Sequence, residues 1–409
     1  MTTVKQTVTS LFAQADIQIN GKRRGDILVH DESFYSNILA GGSLALGEMY
    51  MAGLWDCDAL DIFMQKVLTA QLDKKVPINF TTIRHYLKSV LTNRQTRTRA
   101  WRVGQHHYDI GNDLYAAMLD KELMYSCGYW KDAKTLDDAQ IAKLDLICRK
   151  LGLKKGDRVL DIGCGWGGMG RYAAKKYGVI YTGITVSKEQ YNYANSLNAQ
   201  IAQNANASPK HIKKREKFIA TPRGVSNNDA SCKFVLEDYR VFADKCKKEK
   251  IQFDAIISIG MFEHVGYKNY LTFMRTAHEL LKDDGKFLLH TIGGIVSVKN
   301  TEPWIEKYIF PNSMLPSITQ TAKSAEGLFV VEDLHNFGTY YDRTLMAWFA
   351  NFDNAWPQLQ KNNSKYDERF YRMWKYYLLV CAGSFRARKN QLWQFVLAKN
   401  PTQMYESIR

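Results

Sequence analysis

The residues whose types and spacing best suit chemistry lie in VLDIGCGWGG, Val159 to Gly168. An apolar run carrying an acid, Asp161, passes into glycines 163, 165 and 167, where the lack of a side chain lets the backbone turn sharply and approach a ligand. The run reads as a buried strand and the residues after it as the start of a helix. That context favours a nucleoside site over a plain tight turn. A dinucleotide site calls for GxGxxG and an acid about 20 positions further on. Here the second strand ends in GITVS, with Thr185 where that carboxylate belongs, which argues against a dehydrogenase. Cys127 and Cys381 invite a covalent mechanism, but a cysteine nucleophile needs a base or a helix terminus to form its thiolate, and structural thiols are the plainer reading.

The elements that must position these residues follow from periodicity. Strands are predicted at Arg158 to Ile162, Val179 to Gly183, Lys233 to Leu236, Phe253 to Ile259 and Gly285 to Thr291, with helices between them. This is an α/β pattern: a mostly parallel, Rossmann-like sheet with crossover helices. Between Asn198 and Ser231 the chain turns polar (KHIKKREK, then TPRGVSNND) and reads as a solvated insertion, 198–231. After about Asp342 it reads as helical to the end, in WFANFDNAW, FYRMWKYYLLVCAGSF and KNQLWQFVLAK, the last two packing over the sheet or lining a pocket. At the N-terminus Phe34, Ile38, Leu39, Leu46, Met49 and Tyr50 recur at helical spacing, with a break expected at Gly41 to Ser43. The resulting division is a small helical domain at 1–75, a Lys/Arg-rich linker at 76–105 and a catalytic domain at 106–409.

Composition narrows the function classes. With 56 Lys+Arg against 41 Asp+Glu the formal charge is +15, while 45% hydrophobic and 24% charged residues are ordinary for a globular chain. The charge points to an anionic partner, a nucleic acid or an acidic membrane surface. Aromatic residues make up 12% of the chain, more than a purely electrostatic nucleic-acid binder needs and suited to an apolar pocket. A nucleic-acid enzyme would also want a base-reading module or stacking platform, and none is visible. No apolar run is long enough to span a bilayer, and the first residues lack the pattern of a secretory signal, so a cytoplasmic location is expected. The seven cysteines are scattered without CxxC or His-rich spacing, which leaves little support for disulfides or a structural metal. Lys210, Lys213, Lys214 and Arg215, and Lys245, Lys247, Lys248 and Lys250, are candidate contacts for anionic headgroups, or simply solvated faces.

The glycine turn without a ribose carboxylate looks like that of an S-adenosylmethionine methyltransferase. Further blocks, in order, make the resemblance specific: HYDIGNDLY (His107 to Tyr115), MYSCGYW (Met124 to Trp130), GITVSKEQ (Gly183 to Gln190), IGMFEHVG (Ile259 to Gly266), LLHTIG (Leu288 to Gly293), FGTYYDRTLMAW (Phe337 to Trp348) and CAGSFRARKNQLWQ (Cys381 to Gln394). Together they resemble bacterial cyclopropane-fatty-acyl-phospholipid synthases. GSLALGEMYMAGLWDCD is similar to the leading helical domain of that family, which the resemblance marks as lipid-engaging, while 198–231 and the residue at Tyr340 depart from the pattern.

The resemblance implies a class I methyltransferase fold and transfer of a methylene group from S-adenosylmethionine to the cis double bond of an unsaturated phospholipid, at the inner face of the cell membrane. It implies bicarbonate as base, held by Glu263, His290 and Tyr341 with backbone amides near Cys127 and Ile292. Cys381 matches a position suspected of catalysis in relatives. The cofactor would meet Tyr125, Ser126, Asp161, Gly163, Gly165, Gly167, Thr185 and Gln190, with Asp238 and Tyr239 at the adenine edge. Each has a plainer reading beside it: a satisfied core histidine for His290, a helix cap for Glu263, packing for Tyr341 beside Tyr340, a solvent-facing carboxylate for Asp238. A homodimer is compatible with this reading. The alternatives are a methyl-branching fatty-acyl methyltransferase and a non-catalytic lipid-binding protein on the same scaffold.

Overall fold

The computed structural model describes residues 3–75, 111–206 and 231–409, with the side chains of 201–206 left aside. The expected linker at 76–105, the start of the HYDIGNDLY block and the basic cluster at Lys210 to Arg215 lie outside the described residues.

A seven-stranded sheet forms the centre: β3 (Arg158–Ile162), β4 (Ile180–Thr185), β5 (Ser231–Leu236), β6 (Phe253–Ile259), β7 (Leu281–Gly294), β8 (Val330–Asn336) and β9 (Asn390–Ala398), in the spatial order β5-β4-β3-β6-β7-β9-β8. β5 through β7 run parallel, while β9 is antiparallel to both β7 and β8. β3 is buried on both faces, which is why it reads as a continuous apolar run. The helices that follow in the catalytic part are α4 (Asn112–Met118), α5 (Leu136–Leu151), α6 (Gly168–Tyr177), α7 (Lys188–Asn206), α8 (Tyr239–Lys248), α9 (Tyr270–Leu280), α10 (Pro303–Tyr308), α11 (Ile318–Ala325), α12 (Thr339–Asn362) and α13 (Glu368–Arg386). Thr135 starts α5 with a reciprocal cap to Asp138, and Gly152 ends it in the left-handed region.

The N-terminal unit comprises α1 (Val4–Ala13), α2 (Ser33–Met51), α3 (Leu60–Thr69) and the two-stranded ribbon β1 (Leu28–Val29) with β2 (Trp55–Asp56). Its Phe12, Phe34, Trp55 and Phe63 belong to the same buried cluster as Trp374, Tyr376 and Phe385 of α13, so it packs as part of the main body. The break expected at Gly41 to Ser43 is a kink, with Gly42 alone leaving helical geometry inside α2.

Three expectations change. KNQLWQFVLAK is strand β9, not a helix: residues 391–398 are all buried, between β7 and β8, and a short, almost wholly apolar run has no period to separate the two states. β8, partly exposed at the sheet edge, was not expected at all. The insertion begins later than Asn198, because α7 carries the chain to Asn206 and the Asn198 amide donates to the Cys232 carbonyl on β5.

Candidate active site

Strand β3 delivers its acid and glycines to the carboxyl edge of the sheet, where open α/β folds bind their ligands. The amides of Gly163 and Cys164 both donate to the Ile184 carbonyl at 3.0 Å, pinning the turn to β4. Gly163 has φ +97° and a Cβ there would sit 2.8 Å from Met261, so only glycine fits. Asp161 is buried and takes a hydrogen bond from the Tyr181 hydroxyl on one oxygen, while its other oxygen has no protein partner. Burial pushes its carboxyl up to about 7. Thr185 donates to Gln190 at 2.9 Å and caps the Ser187 amide, which links the end of β4 to the start of α7.

These groups open onto a chamber of about 710 Å³. Tyr125, Ser126, Asp161, Gly163, Gly165, Thr185, Gln190, Asp238 and Tyr239 border it at one end, and Gly167 stands just behind the turn. The orphaned Asp161 oxygen and the side-chain-free cradle fit a nucleoside with polar edges. Asp238 is less available than expected: it caps α8, and Arg240 holds its two oxygens at 2.8 and 2.7 Å.

Further in, Glu263 stands on the short turn after β6. One of its oxygens accepts the Ile292 amide of β7 at 2.6 Å; the other is buried with no partner, and burial raises the carboxyl to about 7. Tyr341 of α12 lies against Phe385 with ring centroids 4.5 Å apart, and burial together with Cys127, Glu263 and Cys381 nearby holds its phenol well above its ordinary value. Glu263, Ile292, Tyr341 and Cys381 therefore share the chamber.

His290 and Cys127 do not line it. His290 is fully buried on β7 against Phe337, with Nδ1 3.2 Å from the Gln394 amide and Nε2 unpartnered. Burial, then the charges of Lys143 and Lys150, keeps it neutral. The Cys127 thiol donates to the Gly128 carbonyl at 3.3 Å, and burial raises it far from thiolate formation.

Cys381 borders the chamber, yet burial lifts its thiol to about 12. A thiolate nucleophile is therefore not available at neutral pH. Cys381→Ala is expected to keep turnover within about threefold of the parent, the scale of a trimmed wall contact rather than a lost nucleophile. A drop of more than about a hundredfold in kcat, the loss expected of a catalytic group, would restore the covalent reading.

Sequence reasoning missed several neighbours. His264 borders the chamber and is held neutral, its value pushed down to about 4 by burial. Phe310, Tyr376 and Tyr377 give the chamber aromatic walls, and Tyr377 shares a 2.8 Å hydroxyl hydrogen bond with Tyr125. Lys143 of α5 is wholly buried, donates to the Ser126 hydroxyl at 2.8 Å and is pushed down to about 8 by burial. Gln140, one turn earlier on the same face, holds the Ser126 carbonyl at 2.8 Å. Both fall on the helical stripe of Leu136, Ala139 and Ile147, and a lysine on an otherwise apolar stripe was the available signal.

The far end is wholly different in character. Phe12, Ile38 and Leu46 of α1 and α2 and Met64, Val67 and Leu68 of α3 close it from the N-terminal unit, opposite Val380 and Ser384 of α13. Thus α13 lines a pocket, as its amphipathic pattern allowed.

The strand order with one antiparallel member, and the glycine turn after its first strand, define a class I S-adenosylmethionine-dependent methyltransferase fold. The family model for mycolic acid cyclopropane synthetase matches residues 95–215 and 213–395. The chain is 47% identical over 389 residues to cyclopropane-fatty-acyl-phospholipid synthase of Escherichia coli (strain K12), covering 95% of this chain and 92% of that one. It is 32% identical over 301 residues to a probable fatty acid methyltransferase of Pseudomonas putida, covering 72% and 68%. Among solved structures, mycolic acid cyclopropane synthase CmaA1 complexed with SAH and CTAB superposes with TM-score 0.58 at 33% identity, covering 73% of this chain and 97% of that one. The chain belongs to the cyclopropane synthase family of S-adenosylmethionine-dependent enzymes.

Proposed function

We propose that this enzyme transfers the methyl carbon of S-adenosylmethionine to the cis double bond of an unsaturated phospholipid acyl chain and closes it into a cyclopropane ring. One observation carries the reading: a single chamber joins the glycine turn of β3 to an apolar compartment, with the unpartnered oxygen of Glu263 buried in the wall. S-adenosylmethionine supplies an activated methyl group on a sulfonium. Asp161, Thr185, Gln190 and the turn at Gly163 would hold it, with Asp238 and Tyr239 toward the adenine.

An alkene is a weak nucleophile, so the chain's own contribution begins with alignment in a dry slot, an effect that can supply about 7 to 11 kcal/mol. The helices of residues 1–75 form the apolar wall for the lipid tail. Tyr125, Phe310 and Tyr377 present aromatic rings to the positive charge that develops on the acyl chain.

Ring closure then needs a proton acceptor. Bicarbonate fits this site on the second oxygen of Glu263, which is buried at the chamber wall with no partner in the protein. It would supply the oxyanion base, held by Glu263 and Tyr341, with His290 behind the chamber wall rather than facing it. Ile292 holds Glu263 in place through its amide, and the Cys127 segment stands behind Tyr341. Glu263 accepts or orients, and the Tyr341 hydroxyl donates.

The Pseudomonas putida relative favours a second reading, methyl branching, which shares the first step and then needs hydride to give a saturated branch. Incubating the protein with labelled S-adenosylmethionine and mixed unsaturated phospholipids separates the two by product mass. We expect each modified chain to gain one CH₂ without any reductant. Modification that depends on added reductant, or none at all, rejects the ring-forming assignment.

A further inference from the structure

Where does the lipid enter? The basic run at Lys245 to Lys250 is badly placed for it. It ends α8 and leads into β6, so it lies at the amino edge of a parallel sheet whose carboxyl edge holds the chamber. Lys245 and Lys247 are also paired with Glu237 and Glu279.

The carboxyl edge offers a different surface. Directly after β7 the chain makes a short turn whose tip, Ile295 and Val296, is 62% and 61% exposed while bordering the chamber. Two large apolar side chains in water at the lip of an apolar chamber are a surface that a solvated turn does not need. The turn is held rigidly: the Gly294 amide donates to the Pro316 carbonyl at 2.8 Å, the Ser297 and Ser317 hydroxyls meet at 2.7 Å, and the Gln320 amide holds the Val298 carbonyl at 3.0 Å. Ser317 caps α11, whose first residue, Ile318, is a third exposed apolar side chain at 45%. Cations flank the tip. Lys299 and Lys268 both stand over the Tyr267 ring, their ammonium groups 6.0 and 5.9 Å from its centre. Among the described residues no helix is long and apolar enough to cross a membrane.

We infer that the turn from Gly294 to Lys299, with Ile318 and Lys268 beside it, is the bilayer-docking wedge of this enzyme. Ile295, Val296 and Ile318 sink into the acyl boundary while Lys268 and Lys299 meet anionic headgroups, so the chamber mouth opens at the depth of the tails. The inference rests on the lipid-modifying function proposed above. It adds a mechanical link: the wedge is continuous with β7, two residues from the Ile292 amide that holds Glu263.

The test uses the full chain and vesicles of unsaturated phosphatidylethanolamine with phosphatidylglycerol. The Ile295→Ser/Val296→Ser double variant should sediment with vesicles at least tenfold more weakly, and Lys268→Gln or Lys299→Gln about fivefold more weakly each. Val296→Trp should acquire fluorescence quenching by chain-brominated lipid beyond that of the parent. On phospholipid dispersed as detergent monomers the double variant should keep at least half its turnover, because nothing has to be pulled from a bilayer. A double variant that sediments like the parent, or a Val296→Trp variant with no added quenching, overturns the wedge. A parent that loses vesicle binding with the double substitution yet modifies no dispersed lipid overturns the functional reading and leaves the docking surface standing.

Discussion

Glu263→Gln should lose turnover by about two to four orders of magnitude while binding S-adenosylmethionine as the parent does. The Ile292 amide needs only an acceptor, which the glutamine carbonyl still offers, so the backbone around the site stays in place. What is lost is the second oxygen, buried and without a partner, whose negative charge is the feature suited to drawing the proton away from the reacting carbon. The donor cradle at Gly163 lies on a different strand, β3, and should not register the change.

The same substitution should make the protein more stable at neutral and alkaline pH. Burial raises the folded-state carboxyl to about 7 from its ordinary value of 4.5. Between those values the folded chain keeps a proton that the unfolded chain releases, so this group's contribution to stability falls as pH rises from 4.5 to 7 and stays low above. Removing it should return on the order of 2 kcal/mol at pH 8, seen as a Tm raised by about 2 °C. The acid limb of kcat, expected near pH 7 in the parent, should vanish with it. A variant that turns over like the parent under saturating bicarbonate would remove Glu263 from the chemistry. One that is slower but no more stable would mean that the oxygen is satisfied in solution.

Much of the catalytic half was legible because parallel strands announce themselves. β3 and β6 fall where their largely apolar runs do, since both faces are covered. β9 was not legible for the same physical reason turned around: LWQFVLA is apolar but for Gln394, and only β7 and β8 on either side decide that it is extended. The glycine turn could be read from local sequence because its geometry is local. The pairing of Glu263 with the Ile292 amide could not, being a contact across 29 residues that depends on the register of β6 with β7. Nor could it be read that His290 and Cys127 stand behind the chamber wall. Their strand and loop positions were clear, but which side each side chain faces depends on Phe337 and Thr344, which α12 and its approach bring from far along the chain. The role of the N-terminal helices was the least legible, because Met64 and Val67 read only as a core stripe until α13 is seen opposite them.

That opposition supplies the second large effect. Gly383→Ala should destabilise the protein and cut lipid turnover about tenfold or more, with donor affinity unchanged. In an isolated helix the change from glycine to alanine stabilises by about 1 kcal/mol, so the sign itself is diagnostic. Here a Cβ on residue 383 would lie 2.4 Å from the Asp61 carbonyl oxygen and 3.0 Å from the Gln65 amide, both backbone atoms of α3 that cannot swing aside. Helix α3 must back away from α13, against Arg386, which bonds Asp61 at 2.7 Å and Asp342 at 2.7 and 2.8 Å. Overpacking of this kind costs about 1 to 3 kcal/mol net, a fall in Tm of roughly 1 to 3 °C for a chain of this size. The functional loss follows from what the two helices enclose. Met64, Val67 and Leu68 on one side and Val380, Cys381 and Ser384 on the other border the same compartment, so a shift of α3 lets water in beside the acyl chain and moves the double bond relative to the donor. Donor binding by calorimetry and lipid turnover should therefore separate in this variant. If Gly383→Ala melts higher and works normally, the two helices are loosely apposed and the compartment between them is not the place where the acyl chain is aligned.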